Sequence, residues 1–282
     1  MPQPTIEPIT TETLPEFAAF LHANLETLRS PQAWIEGLRR SWGMSAPNHG
    51  FVLRDAGRIV GGIGAYYAER TIKGQPQRVC NITSWCVLDA YRKQSMRLAM
   101  ALIGQKGYHF TDFSPTKVVG GVLQFLKFRP LDERQVVIIN LPWPAIGSEL
   151  LIQPRDVEHA LLGDALRVYR DHSAFPWLCH VLIGTPNKWC HVIYKRTRFK
   201  WLPSAHVLYL SDSAVFEQHY FRLARHFVAC GLATTHVDFR FLSRRPWPSA
   251  VRSGFNAKVY LSPTLSDQDI DYLYSETMAL DL

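Results

Sequence analysis

The segment SWCVLDAYRKQSMRLAMAL (84–102) gathers Arg92, Lys93 and Arg97 where an extended stretch runs into a long apolar helix. The first turn of a helix already presents unpaired N–H groups and the positive end of its dipole. Each cation added there works against the helix by roughly 0.3–1 kcal/mol. An anionic ligand offsets that penalty, and a phosphate-bearing one suits both the backbone donors and the side chains. Along the preceding strand, alternation puts Asn81, Thr83, Trp85 and Val87 on one face and Ile82, Ser84, Cys86 and Leu88 on the other. Neither face is wholly apolar, so one borders a cleft. In the helix, Met96, Ala99, Met100 and Ile103 form a stripe that Leu98, Ala101 and Leu102 widen to nearly all sides. Such a helix is buried, and its N-terminus emerges beside the strand end, where ligands of open α/β sheets sit.

The elements that must position this junction follow from the surrounding pattern. Residues 5–9 read as extended, 14–28 as an amphipathic helix capped by Thr13, and 31–42 as a helix opened by Ser30 and Pro31. Residues 51–54 and 59–67 form a hairpin around a turn at 55–57. A strand over 80–88, a helix over 94–106, a strand over 108–113, a helix over 115–126 and a strand over 134–141 complete this half. Residues 140–156, NLPWPAIGSELLIQPRD, are proline-interrupted and read as a linker. Beyond them the pattern predicts a helix over 157–170, strands over 177–184, 189–196 and 205–212, and a long helix over 215–230. Strands near 235–239 and 258–261 and a terminal helix from Asp267, with Ile270, Leu273 and Tyr274 on one stripe, end the chain. The expected fold class is α/β with mixed sheets, in two domains of similar rhythm, 1–145 and 146–282.

A chain of 282 residues accommodates two domains, and its 47% hydrophobic and 20% charged composition is that of a folded protein. No apolar run approaches the roughly 18–20 residues that span a bilayer, and the first residues carry no secretory pattern, so a cytoplasmic protein away from membranes is expected. Five cysteines, odd in number and scattered, point to reduced thiols. Cys179-His180 and Cys190-His191 are adjacent pairs on strands, whose side chains alternate, so no metal site is expected there. The formal charge of +7 favours an anionic ligand, but it lacks the density of a nucleic-acid binder.

VLDAYRKQSMR resembles the signature of the GNAT superfamily, the Gcn5-related N-acyltransferases: a strand ending Val-x-Pro-x-Tyr/Phe, then Arg/Gln-x-x-Gly-x-Gly/Ala opening a helix. Val87, Tyr91 and Arg92 fall in register, while Asp89 replaces the proline, Ser95 the first glycine and Arg97 the second small residue. SPTKVVGGVLQFLKF resembles the later Asn-x-x-Ala-x-x-x-Tyr-x-Lys-x-Gly-Phe segment, with Thr116, Val119, Leu123, Lys127 and Phe128 at its Asn, Ala, Tyr, Gly and Phe positions.

The resemblance implies a GNAT-like first domain that binds acetyl-CoA or another acyl-CoA, followed by a second, degenerate GNAT-like domain contributing to the acceptor site. Val87, Arg92, Lys93, Gln94, Ser95, Met96, Arg97 and Thr116 would hold the cofactor, Arg97 pointing away from the loop or meeting the phosphates. It also implies direct attack of an amine, on a small molecule or a peptide, upon the thioester. The family's Glu base falls at Asn81 and its Tyr acid at Leu123, neither of which can do that work. Asp112 and Ser84 are therefore the candidates for that work, and Asn81 stays in the expected catalytic site as the residue at the base position. Asp112 acts as base or water-holder, or else as the cap of the next turn. His109 reads as structural and Cys86 as an inert buried thiol. Two rival readings remain: a non-catalytic scaffold on the same fold, and aminoacyl transfer from charged tRNA. The basic, aromatic stretch 239–258 is either an acceptor or anion site or a solvated loop.

Overall fold

The computed structural model describes residues 3–25, 29–39, 42 and 45–281. The end expected for the first helix at 28 lies outside the described residues. The second, expected to reach 42, ends at Leu38, and Trp42 instead forms a bridge to Ala68. The chain begins with β1 (Thr5–Pro8), α1 (Leu14–Asn24), α2 (Pro31–Leu38), the hairpin β2 (Gly50–Asp55) and β3 (Arg58–Ile72), and β4 (Gln75–Val87). It continues with α3 (Ser95–Ile103), β5 (His109–Asp112), α4 (Lys117–Phe125), β6 (Arg129–Pro130) and β7 (Gln135–Ile139). Then come β8 (Glu149–Leu151), α5 (Pro154–Ala160), α6 (Gly163–Ser173), β9 (Leu178–Thr185), β10 (Lys188–Phe199) and β11 (Leu202–Leu210). The last elements are α7 (Ser213–Ala229), β12 (Thr234–Asp238), β13 (Ser249–Arg252), β14 (Val259–Leu261) and α8 (Glu276–Ala279).

Two compact units result, and they are not consecutive stretches of chain. The first comprises residues 1–130, 257–265 and 274–282, the second 131–256 and 266–273. The first sheet has the order β1-β2-β3-β4-β5-β14-β6 and the second β8-β9-β10-β11-β12-β7-β13. Every neighbouring pair is antiparallel except β4–β5 and β11–β12, which are parallel. The two sheets therefore have the same topology, with the sixth strand of each supplied by the other part of the sequence. The strand expected to close the first half lies in the second sheet, because β7 pairs with β12 and β13.

Other departures have local causes. The helix expected over 157–170 is two helices, broken at Leu161–Leu162 before Gly163 at φ +54°. The terminal helix is replaced by a three-residue turn at Asp267–Asp269, closed by a reciprocal Ser266–Asp269 cap, and by short α8. Asp271 Oδ1 accepts from Leu273 N at 3.0 Å, and such side-chain bonds draw backbone away from helix. Thr13 is already helical and does not cap α1; its Oγ1 accepts from Thr10 N at 2.8 Å. Ser30 and Thr116 do cap α2 and α4, accepting from Ala33 N and Val119 N.

Around the site, the core of the first unit packs β3, β4 and β5 against α3 and α4 through Ile63, Ile82, Phe110, Leu98, Leu102 and Leu123. Gly62 lets α1 approach the sheet, since a Cβ there would lie 2.4 Å from Phe17 Cε2. No described helix is long and apolar enough to cross a membrane.

Candidate active site

β4 and β5 run parallel only from Val79–His109 to Asn81–Thr111 and then part. At the parting, Gly64 opposes Thr83 and Gly62 opposes Cys86, so Ser84 and Trp85 together face only Ile63. This is a bulge, with Ser84 at φ 52°, and it leaves strand N–H groups outside the ladder. A cleft of about 670 Å³ opens beside it. One wall is the end of β4, Trp85 to Leu88; the other is α4, through Val118, Val119 and Val122. Its polar end carries Asp89, Arg92, Ser95 and Thr116.

The cation cluster divides by side chain. Arg92 borders the cleft and pairs with Asp89 at 2.7 Å, in an exposed contact that contributes little by itself. Arg97 turns away from the cleft: its Nη1 donates to Pro4 O at 3.0 Å and to Gln94 Oε1 at 3.1 Å. Lys93 and Met96 are exposed outside the cleft walls. The junction itself is wound as a 3-10 helix over Asp89–Gln94, with Tyr91 N donating to Leu88 O and Ser95 N to Arg92 O. Those bonds engage donors that an open glycine turn would offer a phosphate. Of the residues expected around the cofactor, Val87, Arg92, Ser95 and Thr116 line the cleft, whereas Lys93, Gln94, Met96 and Arg97 do not.

The catalytic candidates gather at the point where the strands part. Asn81 is buried and committed: Nδ2 donates to Thr111 O and Oγ1, and Oδ1 accepts from Glu276 N at 2.9 Å. Ser84 is half-buried, its hydroxyl 3.2 Å from that of Thr83. Asp112 accepts from Ser114 N at 3.1 Å, the turn-capping role, and is buried beside a second carboxyl that nothing local in the sequence signals, Glu276. Glu276 Oε1 accepts from Phe113 N at 3.2 Å and from Ser114 Oγ at 3.0 Å, while Oε2 is buried without a hydrogen bond. Burial first, and then the charge of Glu276, raise the Asp112 carboxyl well above its usual range. Burial pushes Glu276 up to about 7, against the pull of its N–H and hydroxyl donors.

His109 is structural, with Nδ1 2.8 Å from Ser262 Oγ and Nε2 2.8 Å from Gln77 Oε1. Leu123 is fully buried in the core. Cys86, expected to be buried, is half-buried and lines the cleft, and its partial burial raises the thiol. In the second unit the corresponding helix start, that of α7, is occupied by the chain's own carboxylate: Asp212 Oδ1 accepts from Val215 N at 2.9 Å. Among the described residues no group of three or more His, Cys, Asp or Glu is placed to hold a metal. His180 and His191 stack, with Nδ1 of the first 3.1 Å from Nε2 of the second.

No protein-family model matches the sequence. No curated protein matches it either. Solved structures do match the fold. A GCN5-related N-acetyltransferase from Anabaena variabilis superposes with a TM-score of 0.61 at 10% identity, over 92% of this chain and 72% of that one. One from Kribbella flavida gives 0.59 at 10% identity, over 91% and 70%. Eis1 from Mycobacterium abscessus gives 0.53 at 12% identity, over 91% and 72%.

Proposed function

From the premise that this chain has the mixed α/β fold of the GCN5-related N-acetyltransferases, in two units of like topology, we propose that its first unit is an N-acyltransferase site. The donor is an acyl thioester of coenzyme A, acetyl-CoA in the simplest case, and the acceptor is an amine on a small molecule or peptide. The observation that carries the reading is the parting of β4 and β5 beside a bulge, at the wall of a cleft that is largely apolar and also holds the Arg92–Asp89 pair, Ser95 and Thr116.

The residues fit such a donor unevenly. Val87, Leu88, Val119 and Val122 offer an apolar lining suited to a pantetheine arm. Arg92, Ser95 and Thr116 offer one charge and two hydroxyls to phosphate, against the opposing charge of Asp89. An N–H released by the Ser84–Trp85 bulge is the donor suited to a thioester carbonyl, and it strengthens as charge develops on that oxygen. Holding both substrates in one slot supplies much of the rate. The amine forms the new C–N bond as the C–S bond breaks, the thiolate takes a proton, and no enzyme group is acylated.

One observation favours a second reading, a binding protein on this fold: the cleft wall carries no carboxylate, imidazole or phenol apart from Asp89. Release of free thiol from acetyl-CoA and longer acyl-CoAs, measured against a panel of amines, separates the two. Turnover lost in Val119→Trp supports acyl transfer. Binding of the thioester without turnover of any amine supports the second reading.

A further inference from the structure

We propose that the proton lost by the attacking amine leaves the cleft through the Ser114 hydroxyl and is taken up by the buried Glu276–Asp112 carboxyl pair. This rests on the acyltransfer reading, and it makes Ser114 the catalytic contact and Glu276 the proton-holding residue behind it. The cleft wall itself has no suitable base, yet amine attack requires one.

Ser114 is exposed just outside the cleft lining, two residues before Thr116, which belongs to it. Its Oγ donates to Glu276 Oε1 at 3.0 Å, so one hydroxyl joins the exposed segment to a carboxyl that is 1% exposed. Glu276 Oε2 has no hydrogen bond, an unusual state for a buried carboxylate oxygen and one that disfavours its ionised form. Asp112 Oδ1 and Glu276 Oε1 both accept from Ser114, one from its N–H and one from its hydroxyl. Two buried carboxyls held on one residue do not both ionise, so the pair holds one proton and can accept a second. Other titratable side chains on the flanking strands are Tyr66 and Tyr67 on β3, Cys80 on β4, His109 on β5 and Tyr260 on β14, with Lys258 just ahead of β14, all buried, and half-buried Cys86 on β4.

The proton moves from the amine nitrogen to Ser114 Oγ as the Ser114 proton passes to Glu276 Oε1. The return along the same path reprotonates the leaving thiolate, so the relay ends as it began.

The test is kcat/KM for an amine against pH, in wild type, Ser114→Ala, Ser114→Thr and Glu276→Gln, with acetyl-CoA binding followed in parallel by thermal shift. The relay predicts that wild type rises through an apparent pKa near neutrality. Ser114→Ala and Glu276→Gln should each lose about 100-fold or more while the acetyl-CoA shift persists, and Ser114→Thr should restore much of the loss. Wild-type rates and an unchanged profile in both variants overturn the relay alone. A wild type that binds acetyl-CoA but turns over no amine overturns the acyltransfer reading, and the relay falls with it. Should Glu276→Gln fail to fold, the exposed Ser114→Ala carries the test.

Discussion

Ser114 Oγ and Glu276 Oε1 lie 3.0 Å apart across 162 residues of sequence. The contact exists because residues 274–282 return to the first unit after the chain has built the second. Asn81 accepts the Glu276 backbone N–H, so the returning segment is fastened at the place where β4 and β5 separate. Beneath that place, two carboxyls are removed from water.

The burial of Glu276 has a thermodynamic signature. Its folded pKa of about 7 lies above the ordinary 4.5, so the native state binds more protons than the unfolded state between those values. Stability contributed by the neutral carboxyl is complete below pH 4.5 and is lost as pH rises through 7. Thermal unfolding from pH 5 to pH 8 should show a fall in Tm that is smaller in Glu276→Gln. Equal slopes in the two proteins would contradict the burial.

Two glycines separate close approach from conformational freedom. A Cβ at Gly50, φ +116°, would lie 2.0 Å from Ile63 O, whereas at Gly57, φ +78°, it meets nothing within 4 Å. Gly57→Ala should destabilise by about 1–2 kcal/mol through φ alone. Gly50→Ala should destabilise by more than that, read as the larger drop in denaturation midpoint.

Arg92 and Arg97 should separate in the same way. Arg97→Ala breaks two hydrogen bonds, to Pro4 O and Gln94 Oε1, and should lower stability by about 1–2 kcal/mol without changing acyl-CoA affinity. Arg92→Ala should leave stability within about 0.5 kcal/mol and weaken acyl-CoA about fivefold, with a loss that shrinks in high salt. Calorimetric titration of both variants checks the pair, and the reverse assignment would place the phosphates elsewhere.

Much of the fold was legible because its signals are local. The alternation in FVLRDAGRIVGG and Ser30 ahead of Pro31 each determine a short element. The apolar run over 95–103 shows a helix but not its buried face, since Met96 and Met100 are exposed and Leu98, Ala99 and Leu102 are buried. The exchange of β7 and β14 was not legible, since the period of QVVII shows a strand and not which sheet it joins. Arg97 sits in the cationic cluster by sequence, but a partner 93 residues away decides its direction. Asp112 was readable as a candidate because it follows a strand. Glu276 was not, because SETMALDL carries no mark of the distant residues that bury it.

The most direct test of the central claim is thermal unfolding of the wild type and of Val119→Trp, each with and without acetyl-CoA. A ligand at about 100 times its dissociation constant adds roughly 2.7 kcal/mol of stability. The account predicts a clear rise in Tm for the wild type and none for the variant, whose indole fills the slot between β4 and α4. No rise in the wild type, or an equal rise in both, would contradict an acyl-CoA site in this cleft.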